Sequence, residues 1–316
     1  MPVREGICGL ILSISFAVSA QAFGLADCTL DDSAAEESRI EHLYGGAPDD
    51  AEIHARRAYV FAYNGAFKVP QWAAWSATKE FRDTPKRKKR WKTLRTDPLL
   101  PDVKARDYRG WFDTTENYAR GHIVPYFISG GDRDNDGMDA EFEENLRVED
   151  EDDACTVFEI NAMSNIAPQF HTRFNGQPGV WWLLETHVRS MLDHGREFQL
   201  FAGTIFLDDV QVRKIGRKDA PETWDIGVPH GFFKIVIDPA REQAIGFLFD
   251  HAGDLASGCN IDDASVAGPA HCIRDITQIE AATGLKFFAA FSNAKRQRLL
   301  KGSTPATWST WIGGED

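Results

Sequence analysis

Hydrophobic residues occur along the chain in two kinds of pattern: short runs rich in aromatic and β-branched residues, and stretches with helical spacing. The runs predict a strand at 57–64, a strand with a breaker at its end at 118–127, and a strand followed by a loop at 156–170. Three more strands are predicted where the sequence reads FQLFAGTIF, GFFKIVID and AIGFLF.

Helical spacing is clearest at 180–195, where Gly195 stands at the position at which a helix should stop. Its apolar face contains Trp181, Leu184, Val188 and Leu192. The segment 273–291 is amphipathic, and the basic stretch 82–95 is predicted to be partly helical. Because the strands cluster instead of alternating strictly with helices, we expect an α+β fold with a mixed or antiparallel central sheet and flanking helices.

The first 22 residues have the organisation of a secretory signal peptide. Arg4 precedes the apolar stretch GLILSISFAV, and Ala20-Gln21-Ala22 supplies small residues at a signal-peptidase spacing. The sequence therefore predicts export to the periplasm or the medium; the alternative is a short N-terminal membrane anchor. No apolar run reaches the ~20 residues that span a bilayer, and no membrane partner is predicted.

The cysteines fit an exported chain. Cys8 belongs to the leader, which leaves Cys28, Cys155, Cys259 and Cys272. An even count favours two disulfides. The last two are close in sequence and are predicted to pair, which leaves the first two for each other. A metal site is the alternative, but no C-x-x-C spacing supports it.

Charge is unevenly distributed along the chain. The net charge is −13, and removing the leader takes away one Arg and one Glu, so it does not change. This acidity argues against a protein that binds nucleic acid by bulk electrostatics, but it allows a local basic groove. Residues 82–95 carry eight Lys or Arg against one Asp, whereas 132–153 is strongly acidic. The basic stretch binds phosphates or is a solvated face.

The segment YARGHIVPYF places Arg120, Gly121 and His122 side by side in a predicted strand. Alone, a histidine on such a strand is more often a hydrogen-bonded core residue than a catalyst. Polar and aromatic residues follow it in a particular order, namely Asn161, Asn165-Ile166-Ala167-Pro168-Gln169, Asn175, Trp181 and Leu184-Glu185.

This ordered set resembles the DNA/RNA non-specific endonucleases, the family that includes the Serratia nuclease and mitochondrial endonuclease G. Their motif is Asp-Arg-Gly-His, then Asn-x-x-Pro-Gln, an Asn, and Trp-x-x-Leu-Glu. The resemblance covers roughly 42–291 and predicts a variable segment at 23–41, a nuclease domain at 42–295 and a C-terminal tail at 296–316. Further landmarks are Tyr44-Gly45-Gly46-x-Pro48, Val69-Pro70-x-Trp72, Val228-Pro229 and Thr283-Gly284-Leu285.

The resemblance implies a ββα-metal finger, with His122 on a strand, Asn175 in a loop and Glu185 on a helix. A histidine with an ordinary pKa near ~6.5 is suited to take a proton from water. Asn175 is expected to bind hydrated Mg²⁺ or Mn²⁺, with Gln177 as the alternative ligand, and Glu185 to hold the metal-bound waters. Gly121 is expected to bend the backbone so that His122 faces the site.

Phosphate contacts are expected from several residues around this unit. The resemblance makes Arg90 the first candidate in the basic stretch and Arg95 the second, and it implies a catalytic role for Arg120. The family's usual Asp is Ala119 here, so a supporting carboxylate is missing. Further expected substrate contacts are Arg87, Asn165 and Gln169.

An acidic insertion at 129–153 contains the pattern D-x-D-x-D-G-x5-E of an EF-hand calcium loop. Gly137 makes the turn, and Asp139 departs from the pattern because an apolar residue is usual there. We expect a structural Ca²⁺ that does not enter catalysis; the alternative is a solvated acidic loop. The expected ligands are Asp132, Asp134, Asp136, the carbonyl of Met138, and Glu143.

The function predicted from these features is a secreted, metal-dependent endonuclease that hydrolyses the phosphodiester bonds of DNA and RNA and leaves 5′-phosphates. The first alternative is a catalytically weak or inactive relative, a calcium-stabilised extracellular domain that binds nucleic acid or mediates adhesion. The second is another phosphodiester hydrolase with a narrower substrate.

Overall fold

A computed structural model describes residues 23–82, 84–112, 116–134, 136–142 and 147–313, and it confirms the α+β class. The predicted leader at 1–22 lies outside the described residues. The strands are β1 Ile53–Ala55, β2 Val60–Asn64, β3 Val69–Ala77, β4 Tyr118–His122, β5 Glu141–Phe142, β6 Arg147–Val148, β7 Ile166–Phe170, β8 Phe198–Ile205, β9 Lys214–Ile215, β10 Ile226–Gly227, β11 Gly231–Asp238, β12 Gln243–Asp250, β13 Cys259–Asn260 and β14 Ile273–Arg274. The helices are α1 Asp32–His42, α2 Glu151–Ile160, α3 Val180–Asp193, α4 Ile261–Ala267, α5 Ile276–Thr283, α6 Asn293–Lys301 and α7 Pro305–Gly313.

The centre of the fold is an eight-stranded sheet in the order β1-β2-β3-β8-β11-β12-β13, with β14 also pairing with β12. Its pairs are antiparallel except for β12 with β13. The β11–β12 hairpin pairs Gly231 with Asp250 and Asp238 with Gln243. The three aromatic-rich runs predicted as strands are therefore its middle, β8, β11 and β12.

The sheet has a hydrophobic core on each face, because successive side chains of a strand point in opposite directions. Trp75 and Phe232 pack on the face covered by α3. Trp72 and Phe233 pack on the face covered by α5 and α6. The predicted helix at 180–195 is confirmed as α3, and it joins the first core.

The predicted C-terminal tail at 296–316 is instead packed against the sheet, as far as the structure describes it. Leu299 and Leu300 of α6 enter the core on the α5 side, whereas Trp308 and Trp311 of α7 enter the core on the α3 side. Between the two helices, Ser303 Oγ accepts a hydrogen bond from Gly246 N of β12 (2.9 Å). The two helices therefore straddle one edge of the sheet.

The predicted strand at the start of 156–170 was wrong, because this part belongs to helix α2. Asp150 caps the helix by accepting from Asp153 N (2.8 Å), and the acidic first turn suits the positive end of the helix dipole. Residues 153–160 are all buried, so no polar face reveals the helical period in the sequence. The strand begins only at Ile166, as β7.

Both predicted disulfides, Cys28–Cys155 and Cys259–Cys272, are present. The first joins the segment before α1 to α2 across 127 residues and lies in a small core of its own with Trp91. In the described part of the chain, no helix has both the length and the apolarity needed to cross a bilayer.

Candidate active site

Strands β4 and β7 form a separate two-stranded ribbon that carries the Arg-Gly-His motif. His122 pairs with Ile166 and Gly121 with Ala167. A Cβ atom on residue 121 would lie 2.0 Å from Gln169 Oε1, so any larger residue there would displace the buried Gln169 side chain. The backbone of Gly121 has no positive φ. The expectation that Gly121 bends the chain was therefore wrong: it makes room for Gln169 against β4.

A cleft of about 1010 Å³ opens beside this ribbon, and both His122 and Asn175 line it. None of the described residues that line it is a carboxylate. A polyanion can therefore approach this cleft despite the negative net charge, because the local potential is positive. Its cationic side chains are those of Arg87, Lys92, Arg106, Arg109 and Arg120.

The tautomer of His122 is set by Asn161, the residue that ends α2. Asn161 Nδ2 donates to the carbonyl of Trp91 (3.0 Å), which fixes the orientation of the amide. Its Oδ1 then faces His122 Nε2 at 3.1 Å. Because this oxygen can only accept, Nε2 carries the proton and Nδ1 keeps its lone pair. His122 is therefore held as a proton acceptor.

The surroundings also keep His122 neutral. Burial, followed by the positive charge of Arg87, lowers the pKa of His122 to about 3, with a smaller contribution from Arg120. The hydrogen bond with Asn161 acts in the opposite direction. The expected pKa near the ordinary histidine value is thus corrected: in the free protein His122 is uncharged well below neutral pH, and it is a weak base until its surroundings change.

Asn175 ends a π-helical turn at His171–Asn175 that leads from β7 towards α3. Its side chain is half-buried in the cleft wall and makes no hydrogen bond with any described residue, so its amide oxygen is available to a ligand. Gln177, the alternative metal ligand, is exposed and does not line the cleft. The structure thus favours Asn175.

Glu185 lies on α3 but is not among the residues that line the cleft. Its Oε1 accepts from Lys234 Nζ (2.9 Å), and this lysine is buried in β11 with its ammonium 3.8 Å from the centre of the Trp181 ring. Burial lowers the pKa of Lys234, and the charge of Glu185 opposes this effect. Within the described residues, Glu185 is therefore first of all the counter-ion of a buried lysine.

The structure changes the order of the phosphate-binding candidates. Arg87 is exposed in the cleft, where its guanidinium lies 4.7 Å from the centre of the Tyr126 ring. Arg90 and Arg95 do not line the cleft. Arg90 donates to the carbonyl of Phe23 (2.7 Å), and Arg95 donates to the carbonyl of Arg90 (2.7 Å). The choice of Arg90 as first candidate is therefore corrected in favour of Arg87.

Asn165 and Gln169, expected to contact substrate, are buried. Asn165 Nδ2 donates to the carbonyls of Val124 and Ile160 (both 2.9 Å), and its Oδ1 accepts from Val124 N (2.9 Å), so it holds the chain just after β4 against the end of α2. Gln169 fills the space beside Gly121. Both expectations are corrected, because neither side chain can reach a ligand in the cleft.

The sequence reasoning missed the roles of three residues: Asn161, which is buried and contacts His122, and the cleft residues Arg106 and Arg109. Asn161 stands at the head of the motif, but nothing in the sequence shows that it contacts His122. Arg106 and Arg109 lie around the 3-10 turn at Ala105–Tyr108. The only signal for them was that VKARDYRGW, outside the basic stretch, contains three basic residues.

In the acidic insertion, ligand atoms of Asp132, Asp134 and Asp136 lie within 4.8 Å of one another. These carboxylates accept hydrogen bonds from the loop's own backbone, including Gly137 N to Asp132 (3.0 Å) and Met138 N to Asp136 (2.8 Å). Glu143, the expected last ligand, lies outside the described residues. The three aspartates thus converge, as the motif predicts.

Three comparisons with known proteins extend these observations. A family model for DNA/RNA non-specific endonucleases matches residues 44–294. Among solved structures, the chain is similar to one from the crystal structure of the EndoG/EndoGI complex, which concerns the mechanism of EndoG inhibition. The TM-score is 0.58 at 19% identity, over 86% of this chain and 96% of that one, so the likeness shows the fold. No curated protein matches the sequence.

Proposed function

The chain belongs to the family of DNA/RNA non-specific endonucleases, which are hydrolytic nucleases, and we propose that it cleaves both nucleic acids with His122 as general base and a divalent metal ion at Asn175. One observation supports this most: His122 and Asn175, from different segments, line a single cleft in which the charged side chains of the described residues are all basic.

His122 is proposed to take a proton from the attacking water through Nδ1. The hydrogen bond from Nε2 to Asn161 (3.1 Å) holds the ring while this proton is transferred. In the free protein burial and Arg87 keep the pKa of His122 low. A phosphate bound between Arg87 and Arg120 would offset these positive charges and make His122 a stronger base.

The basic residues are proposed to hold the phosphates. Arg87 and Arg120 flank His122 as sources of positive charge, whereas Arg106 and Arg109 lie further along the cleft wall. Arginine suits this role because its planar guanidinium can bond two phosphate oxygens at once. These contacts can hold a nucleic acid of any base sequence, because the phosphate groups are the same at every nucleotide.

The donor set in the cleft fits a magnesium or manganese ion. Asn175 offers an unengaged amide oxygen, and such ions keep several waters and recruit substrate phosphates. When bound, the ion supplies charge stabilisation to the phosphoryl group and the leaving oxygen. Glu185 does not itself line the cleft, and Lys234 occupies its Oε1; its Oε2, to which no described residue donates, would orient water on the bound ion.

Digestion of plasmid DNA and of RNA, with Mg²⁺ or with EDTA, tests this proposal. We expect the wild type to cleave both with Mg²⁺, to leave ends that a ligase can join, and to stop in EDTA. His122→Ala should remove the activity. Cleavage that persists in EDTA would exclude the metal-dependent mechanism. Binding without cleavage would favour an inactive relative that binds nucleic acid.

We also propose that the loop at 132–143 holds a structural Ca²⁺ and that residues 1–22 direct export. The convergence of three carboxylates supports the first proposal. Two disulfides support the second, because such bonds persist in oxidising compartments. Calcium titration with a Glu143→Gln control tests the ion, and the mature N-terminus of secreted protein tests the leader.

A further inference from the structure

Phe112 is an exposed aromatic residue in the wall of the cleft, with 48% of its surface accessible to solvent. Among the large hydrophobic side chains that the described residues expose, it is the only aromatic one and the only one that lines the cleft. The mechanism proposed above gives this ring no task. A single exposed phenylalanine is common on protein surfaces, so its surroundings decide whether it has a function.

The chain next to Phe112 is firmly anchored. The preceding residue, Trp111, is buried and donates from Nε1 to the carbonyl of Gly216 (2.6 Å). The carbonyl of Trp111 accepts from the backbone N–H of Tyr118 (3.1 Å), which is the first residue of β4. Because Trp111 is held at both its side chain and its backbone, the ring of Phe112 is kept in the cleft wall.

Phe112 packs against a second ring, that of His171, with 4.6 Å between the ring centres. His171 is half-buried and lies close to Gly176, where a Cβ atom would be 2.3 Å from the imidazole. Both His171 and Gly176 also line the cleft. Gly176 therefore leaves room for the imidazole, and the imidazole supports Phe112. The two rings form one aromatic surface in the cleft.

This aromatic surface adjoins the proposed metal ligand. His171 begins the π-helical turn that Asn175 ends, and Gly176 N donates to His171 O (2.6 Å) across it. A hydrogen bond between residues five apart closes one turn, so the two ends of the segment lie next to each other. Arg109, three residues before Phe112 in the sequence, lines the same cleft. The rings thus lie among groups suited to bind phosphate.

Aromatic rings among basic side chains are the combination that binds single-stranded nucleic acid. The cations follow the phosphates, and the rings stack on the bases, each of which has a planar face. We propose that Phe112, supported by His171, is the stacking site for one nucleobase of a strand whose phosphate lies at Asn175. This inference rests on the nuclease function proposed above. It names single strands as the preferred substrate, because their bases can leave the stack, whereas those of a duplex are held in it.

Binding of fluorescent DNA strands to the full, disulfide-bonded chain in EDTA tests the inference, because the proposed metal-dependent cleavage is then idle. Two single strands of equal length are compared by anisotropy, one with bases and one made of abasic sugar-phosphate units. Phe112→Ala should bind the strand with bases about tenfold more weakly than the wild type does, which corresponds to the loss of one stacked base. It should bind the abasic strand as the wild type does, because that strand offers only phosphates and sugars.

Further variants separate stacking from a loss of bulk. Phe112→Tyr keeps the aromatic ring and should bind both strands as the wild type does. Phe112→Leu keeps an apolar side chain without a ring face and should lose affinity for the strand with bases. Leu99→Ala is the matched surface control, because Leu99 is 55% exposed and does not line the cleft. It should leave both affinities unchanged.

Equal affinity of Phe112→Ala and wild type for the strand with bases would overturn this inference alone. Equal losses on both strands would also overturn it, because they would indicate a changed cleft instead of a lost base contact. A wild type that binds neither strand would overturn the proposed function with it. Plasmid cleavage in Mg²⁺ reports separately on whether a bound nucleic acid is hydrolysed.

Discussion

The basic cleft and the acidic loop are both proposed to hold a divalent cation, yet their electrostatic surroundings are opposite. In the loop, three carboxylates lie within 4.8 Å of one another. In the cleft, the proposed protein ligand is the neutral Asn175, and the charged lining residues are arginine and lysine.

This contrast separates two ways of binding a metal ion. Converging carboxylates balance the charge of a cation by themselves, so the loop can be filled before any substrate arrives. The cleft repels a cation until phosphates bring negative charge, so metal and substrate should bind cooperatively there. The same protein can thus use one ion for stability and another for chemistry without exchanging them.

His122→Ala should have the largest effect and should act on the cleft alone. Loss of the general base should lower kcat by about 10²–10⁴-fold, while calcium binding by the loop stays unchanged. Plasmid cleavage and calcium titration of the same preparation measure the two. The matched control is His194→Ala, because His194 is exposed at the end of α3 and its ring bonds Ser190 O. Equal losses of kcat in the two variants would contradict the assignment of His122 as the general base.

Calcium should stabilise the fold without being required for cleavage. At a free concentration of about 100 times Kd, a bound ion raises the free energy of unfolding by about 2.7 kcal/mol, which corresponds to several degrees in Tm. Thermal melts with Ca²⁺, with Mg²⁺ and with EDTA measure this. Asp132→Asn should abolish the rise in Tm that calcium causes. Identical melting curves of the wild type in Ca²⁺ and in EDTA would show that the loop holds no stabilising ion and would remove the contrast with the cleft.

Asn161→Leu should lower kcat by about tenfold and leave KM nearly unchanged, because one hydrogen bond of about 1 kcal/mol no longer fixes the ring of His122. Asn161→Asp should raise the pKa of His122 through its negative charge. Because the neutral ring is the base, the acidic limb of the kcat/KM profile should then move to higher pH. An unchanged limb would show that Asn161 is a packing residue only.

The smallest expected effect is on the salt dependence of nucleic-acid binding, which should differ between variants of the neighbouring Arg87 and Arg90. Arg87→Ala should raise KM and reduce the slope of log affinity against log salt by about one, because one phosphate contact is lost. Arg90→Ala should leave this slope unchanged, since Arg90 bonds Phe23 O outside the cleft. The reverse result would restore Arg90 as the phosphate ligand.

Most of the sheet could be predicted from the sequence, because the strands β8, β11 and β12 are rich in aromatic and branched residues. Helix α3 could also be predicted, since one face is apolar. Helix α2 could not, because the part of it from Asp153 onwards is buried on every side and shows no polar period. The packing of α6 and α7 was equally hidden, as α6 is largely polar and contributes only two buried leucines.

For the site, the ordered motif predicted His122 and Asn175 in one place. It could not distinguish a residue that meets substrate from one that supports the ribbon, as Asn165 and Gln169 show. That difference depends on burial, which a motif does not record. Nor could it reveal the contact from Asn161 to His122, because a hydrogen bond between distant segments follows from their three-dimensional placement.

Helices α6 and α7, which straddle one edge of the sheet, are synthesised after the strands that they cover. Residues 293–313 leave the ribosome after every strand they cover, so the start of β12, which β13 and β14 leave unpaired on that side, stays open until then. An open strand edge can pair with another chain. If residues 1–22 direct export of the unfolded chain, as proposed above, this edge closes only after the chain has crossed the membrane.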